Sequence, residues 1–261
     1  MSLREVLAAK TMEHKDLPIL AYGEERYTVA ELWGRSMKFA NWLNGQGIGQ
    51  GHRVAIAMRN YPEWCMAYLG IICSGATVVP LNSWWHEEEL RYGMEKSDAK
   101  YVVVDDKRAD YLTPSKDDLG LKFIAGRDDV PNQDFSLRSI LADPEVSSDM
   151  PTEPIDPDSD YCLLFTSGST GRPKGALLTH RSVINAVLSW SFLLHVIQDL
   201  RPEVPILPEN PGILLSLPLF HVTGLHSIFL LGYLSGRRIV FTYRWDAKEA
   251  VRLIKEEKLT H

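Results

Sequence analysis

Apolar runs of strand length and longer amphipathic runs alternate along most of this chain. RVAIAM, ATVVPL and YVVVD are nearly continuous apolar stretches, as expected of strands buried on both faces. Between them lie PEWCMAYLGIIC, opened by Asn60 and Pro62, and the amphipathic HEEELRYGMEKS, both of helical length. Weaker signals at KFIAG and at 137–141 continue the series. Ahead of it, Ser2 caps a first helix and ILAYGEERYTV reads as a hairpin turning at Gly23 and Glu24. Thr28 and Glu31 then form a capping box for a helix running to about Gly45. Strands separated by helices predict a mainly parallel sheet with helices on its faces.

The pattern breaks between Asp143 and Asp160, where seven acidic residues and four prolines occur without a basic residue or a period. This predicts an exposed connector. Beyond it come the strand YCLLF, a polar loop, the strand GALLT and a long helix from about His180 to Leu200. A proline-rich loop through Pro211, the strand ILLSL, the helix-like VTGLHSIFLLGYL, the strand RIVFT and a helix capped by Asp246 follow. The expectation is an α/β fold of two layered lobes with mainly parallel sheets: residues 1–142, the connector 143–160, and a second lobe over 161–261. The last helix leads into Leu259, Thr260 and His261, which read as entry into another strand, so the chain is expected to be a truncated piece.

The chemistry concentrates in the loop FTSGSTGRPKG, Phe165 to Gly175. Gly168, Gly171 and Gly175 allow positive φ or close backbone approach, so that several N–H groups can face one anion. Thr166, Ser167, Ser169 and Thr170 add hydroxyls, and Lys174 adds a mobile cation. This is the composition of a polyphosphate cradle set between two strands rather than of a flexible linker. It is not a P-loop, because Pro173 stands where the second glycine would be and a strand follows Lys174.

That loop matches, at every fixed position, the signature [YF]TSGSTGxPKG, and in it the chain resembles the adenylate-forming superfamily of acyl-CoA synthetases, firefly luciferase and peptide-synthetase adenylation domains. GATVVPLN, preceded by AMRNYPEW, resembles a second shared block, and LPLFHVTGL a third, in which His221 borders the acyl pocket and the adenylate. Thr223, Gly224 and Leu225, with His226, are candidate pocket neighbours, Gly224 by letting the helix start pack close to a ligand. A lone histidine at a strand-to-helix turn is otherwise satisfied by local backbone. Trp84 and Trp85 are read as one buried and one half-exposed packing residue. His180 and Arg181 are read as the start of the long helix, within reach of a phosphate.

The resemblance implies ATP-dependent activation of a fatty or aryl carboxylate to an acyl-adenylate, followed by transfer to coenzyme A. Ser167 to Thr170 and Lys174 would hold the β- and γ-phosphates, Lys174 and His221 would be the catalytic side chains, and magnesium is implied, with Thr170 near the metal or its waters. The family's later YGxTE and TGD blocks and its C-terminal catalytic lysine domain have no counterpart string here, so this stretch alone is expected to adenylate slowly or not at all. The alternative is a non-catalytic nucleotide- or acyl-binding module that retains the phosphate loop.

Composition narrows the remainder. A net charge of −6 with no basic cluster argues against nucleic acid. Three cysteines among apolar neighbours read as reduced core residues. The amphipathic, acid-containing N-terminus is neither a secretory signal nor a transit peptide, so the cytoplasm is expected. Val222 to Leu234 is too short to span a bilayer, so no transmembrane segment is expected. With a long-chain substrate, the resemblance is compatible with peripheral membrane contact.

Overall fold

In a computed structural model the described residues are 1–166, 171–203 and 211–260. The elements run α1 (Leu3–His14), β1 (Pro18–Tyr22), β2 (Glu25–Thr28), α2 (Val29–Gly45), β3 (Arg53–Ala57), α3 (Pro62–Ser74), β4 (Thr77–Pro80) and α4 (Glu87–Ser97). There follow β5 (Tyr101–Val104), α5 (Asp106–Leu112), the short α6 (Lys116–Leu119), β6 (Lys122–Ala125), β7 (Phe135–Ser136) and α7 (Leu137–Ala142). The rest comprises β8 (Asp160–Thr166), β9 (Lys174–Thr179), α8 (His180–Leu200), β10 (Gly212–Leu215), a π-helix (Thr223–Leu230), α9 (Leu231–Leu234), β11 (Arg238–Phe241) and α10 (Ala247–Glu256).

These elements form the expected α/β architecture. A seven-stranded sheet has the order β7-β6-β5-β3-β4-β8-β9, parallel except for the β8–β9 pair. A four-stranded sheet has the order β10-β11-β1-β2, parallel except for β1–β2. Sheet membership does not follow the division of the chain at 142 and 161. The β1–β2 hairpin joins the sheet built from 212–241, and the β8–β9 hairpin extends the sheet begun by β3. Burial supplies the reason: Ile19, Leu20 and Ala21 are all buried, so β1 needs partners on both edges, and β11 provides the second.

The core lies between the sheets, where Trp64, Tyr68, Tyr161, Phe229 and Tyr233 are fully buried. One cation ties the layers together. The Arg127 guanidinium, beyond β6, bonds Glu63 of α3 at 3.0 Å and Glu25 of β2, and lies 5.2 Å and 5.1 Å from the ring centres of Tyr22 and Tyr61.

The local signals hold. Thr28 Oγ1 accepts from Glu31 N at 3.2 Å while the Glu31 carboxylate accepts from Thr28 N at 2.8 Å. The Asp246 carboxylate accepts from Glu249 N at 2.9 Å. Among the described residues α8, 21 residues long with an 18-residue stretch of mean hydropathy 1.4, is long and apolar enough, by length and composition alone, to cross a membrane. Core helices that pass the same test are mostly buried, whereas this stretch of α8 is mostly not: it buries Val183 and Val187 while Leu188, Phe192 and Leu193 are exposed.

Candidate active site

The phosphate loop is closed by the β8–β9 ladder. Thr166 pairs with Lys174 and Phe165 with Gly175, so the loop leaves the sheet at one rung and returns at the same rung. Thr166 Oγ1 also donates to the Lys174 carbonyl at 3.3 Å. Ser167, Gly168, Ser169 and Thr170 lie outside the described residues. Gly171 has φ +91°, the left-handed conformation that the loop composition suggested. Gly175 serves a different need: it is extended, and a Cβ there would stand 2.8 Å from Leu163 Cδ1. The Lys174 side chain is exposed at the loop's exit. Tyr92 on α4 fixes that exit by donating its hydroxyl to the Pro173 carbonyl at 3.1 Å, and Arg172 lies 5.5 Å from the Tyr92 ring centre.

The LPLFHVTGL segment reaches the same region through contacts that the sequence did not advertise. Asn60, just past β3, donates to the Leu217 carbonyl at 2.9 Å and accepts from Leu219 N at 3.0 Å, which satisfies the backbone of the turn before His221. The adjacent tryptophans divide their contacts. Trp85, 8% exposed, packs edge-on against Phe165 at the mouth of the phosphate loop, while Trp84, 57% exposed, packs edge-on against Phe220 beside His221. The Trp84–Trp85 pair therefore ties both motifs to one turn after β4. Below them, the carboxyl ends of β3, β4, β10 and β11 enclose a crevice of about 260 Å3, with Arg59, Asn60, Trp84, Pro218 and Tyr243 in its wall. Carboxyl ends of parallel strands are where ligands bind in open α/β sheets.

Within the third motif the structure separates the candidates. His221 is exposed, and its Nδ1 accepts from Thr223 N at 3.3 Å, so the ring is held by local backbone. Thr223, half-buried, opens the π-helix. Gly224 packs closely, but against its own chain: a Cβ there would collide with the Pro218 carbonyl oxygen. Leu225 is fully buried in the core. His226 is buried as well, with Nε2 3.2 Å from the Tyr161 hydroxyl, which in turn bonds the Tyr68 hydroxyl, and burial lowers its pKa to about 4. It anchors the π-helix to β8 and belongs to the core.

His180 and Arg181 lie at the far end of the β8–β9 ladder, where Asp160 pairs with Thr179. His180 is fully buried, accepts from Leu3 N at 3.4 Å, and has its pKa lowered to about 4 by burial. Arg181 makes a two-pronged pair with Asp158 at 2.6 and 2.8 Å. Neither is placed at the loop. As site residues Asn60 and Tyr92 were missed from the sequence; Asn60 was read only as opening the helix with Pro62.

Among the described residues, no group of three or more His, Cys, Asp or Glu is placed to hold a metal ion.

Residues 7–261 match the family described as AMP-binding enzyme. The chain is 30% identical to 4-coumarate–CoA ligase 3 of Oryza sativa subsp. japonica, all of this chain aligning with 45% of that protein. It is 28% identical to 4-coumarate–CoA ligase 3 of Arabidopsis thaliana, 94% of this chain aligning with 42% of that protein. The chain thus spans about half the length of the curated relatives it matches. The inhibitor-bound N-terminal domain of FACL13 from Mycobacterium tuberculosis superposes with a TM-score of 0.81 at 25% identity, over 99% of this chain and 61% of that one. The o-succinylbenzoate CoA synthetase of Bacillus subtilis, solved with its acyl-adenylate, shares the fold with a TM-score of 0.80 at 20% identity, over 100% and 60% of the respective chains. With the signature loop, the shared fold and a family match over nearly its whole length, the chain belongs to the AMP-binding enzymes, the adenylate-forming ligases.

Proposed function

We propose that the protein carrying this chain joins a fatty or aryl carboxylic acid to coenzyme A at the expense of ATP. In the first step a carboxylate oxygen attacks the α-phosphorus of ATP, the P–O bond to the β-phosphate breaks, and pyrophosphate leaves. In the second, the coenzyme A sulfur attacks the acyl carbon, AMP departs with the electron pair of the C–O bond, and the thiol proton passes to solvent. The observation that carries this reading is the phosphate loop, closed at the Thr166–Lys174 rung and flanked by the His221 turn.

Negative charge grows on the departing pyrophosphate, so prearranged donors and a cation at that point lower the barrier. Lys174 supplies the cation, and Ser167 to Thr170 supply donors. Magnesium bound with ATP would neutralise part of the phosphate charge, with Thr170 the candidate to approach it. His221, exposed beside Trp84 and Phe220, would border the acyl group and the adenylate, with Thr223 next to it. Leu225 would contribute from behind as packing. An aryl acid is supported by the 4-coumarate–CoA ligases among the relatives. We place the protein in the cytoplasm.

The test is carboxylate-dependent exchange of labelled pyrophosphate into ATP, with 4-coumarate and decanoate as the trial acids. Exchange that requires either acid and falls sharply in Lys174→Ala supports the proposal. Tight ATP binding without exchange, in the complete protein and with both acids, would instead leave a nucleotide-binding module.

A further inference from the structure

Among the described residues three arginines are buried, and they differ in one respect. Arg4, 3% exposed, donates to the carbonyls of Cys73 at 3.2 Å and Glu153 at 2.5 Å. Arg108, 2% exposed, pairs with the Asp105 carboxylate. Arg237, 9% exposed, is the one of the three with no hydrogen bond or ion pair from its guanidinium to any described residue, whereas a sealed, unpartnered Nε is common to all three. An unpaired buried cation is costly, and replacing it by an apolar side chain of similar volume is ordinarily neutral or stabilising. Burial accordingly pulls its pKa below the usual guanidinium range.

Arg237 lines a cavity of about 450 Å3 between α1, α8 and α9. Val187 and Leu188 of α8, with Leu231 and Leu234 of α9, form apolar wall, while Ser191 and His195 add polar atoms. The one carboxylate in the lining, Glu13, is already engaged by Lys10 at 2.6 Å and His14 at 3.6 Å on its own helix. The cavity therefore offers one uncompensated cation set against apolar wall. It is also remote from the candidate active site. Pro211 and Arg237 precede β10 and β11, so the cavity opens at the amino ends of these parallel strands. His221 lies in the segment after the carboxyl end of β10, and a four-residue strand is roughly 13 Å long.

We propose that this cavity is a second binding site, for a carboxylate-headed amphiphile such as a medium-chain fatty acid, with the head on Arg237 and the apolar body along α8 and α9. Its volume lies in the range of small-molecule sites, and its mix of apolar wall with one charged group is what fixes the orientation of such a ligand. The site does not depend on the ligase proposal, since binding at Arg237 requires neither ATP nor the phosphate loop.

Titration calorimetry with decanoate, and with methyl decanoate as its neutral counterpart, tests it on the intact protein. The expected result, without ATP, is a decanoate-binding event, separate from any at the acyl site, that survives His221→Ala, weakens at least tenfold in Arg237→Met, and is absent for methyl decanoate. Arg237→Met should melt at or above the wild-type temperature, which separates lost binding from lost fold. Ser191→Trp, which fills the cavity and leaves Arg237 in place, should also abolish binding. The site is overturned if wild type does not bind decanoate, if Arg237→Met binds it as tightly as wild type, or if the ester binds equally well.

Discussion

Two hairpins in this molecule cross from one half of the chain to the sheet of the other, and they are used differently. β1–β2 sends its inner strand into the middle of the four-stranded sheet, buried and paired on both edges. β8–β9 places its outer strand at the edge of the seven-stranded sheet, with most of its residues exposed. The first turns at Gly23 and is clamped through Glu25 to Arg127; the second opens into the phosphate loop. A hairpin fixed on both sides holds layers together. A hairpin fixed on one side can present a loop to a ligand without disturbing the core.

Acid should break this comparison most strongly. His180 and His226 both border Tyr161 of β8, and burial holds each near pKa 4 against an unfolded value near 6.5. Because the folded pKa is depressed, the unfolded chain binds more protons below pH 6.5. Stability is therefore complete above that value and is lost as pH falls from 6.5 toward 4, by about 3 kcal/mol for each histidine. Denaturant midpoints across this window should fall steeply in wild type and about half as steeply in His226→Gln. A flat profile would contradict the buried, neutral histidines.

Lys174→Ala should sharpen the contrast, lowering the exchange rate by about 2–3 kcal/mol in the transition state, roughly 30- to 150-fold, while the melting temperature stays within error. Arg127→Ala should do the opposite. It leaves Glu25 and Glu63 partly buried without their cation, so about 2 kcal/mol of stability should be lost in urea titrations. The smallest expected effect is that of Tyr92→Phe. Losing the hydroxyl that holds the Pro173 carbonyl should cost about 1 kcal/mol, seen as a severalfold rise in KM for ATP with kcat and melting temperature little changed.

Local features were readable from the chain because they are decided locally. Strand runs, the Thr28–Glu31 capping box and the hairpin turn at Gly23 depend on residues close in sequence. Sheet membership was not readable, because which strand covers the free edge of β1 is decided by a partner more than 200 residues away. The third motif shows the same limit at side-chain scale. His221 and His226 are five positions apart and alike in sequence, yet one is exposed and the other is sealed behind Tyr161 by neighbours from β8 and α3. Gly224 was recognised as a close-approach position, but its neighbour is Pro218 of the same loop rather than a ligand.

The rung that joins Thr166 to Lys174 also has an entropic consequence. Because Lys174 begins a hydrogen-bonded strand, its φ and ψ are set when the protein folds and need not be set again when a nucleotide arrives. Only side-chain rotamers remain to be frozen, a cost of up to about 2 kcal/mol for a lysine, whereas a lysine in the middle of a free loop would add about 1–2 kcal/mol for its own backbone.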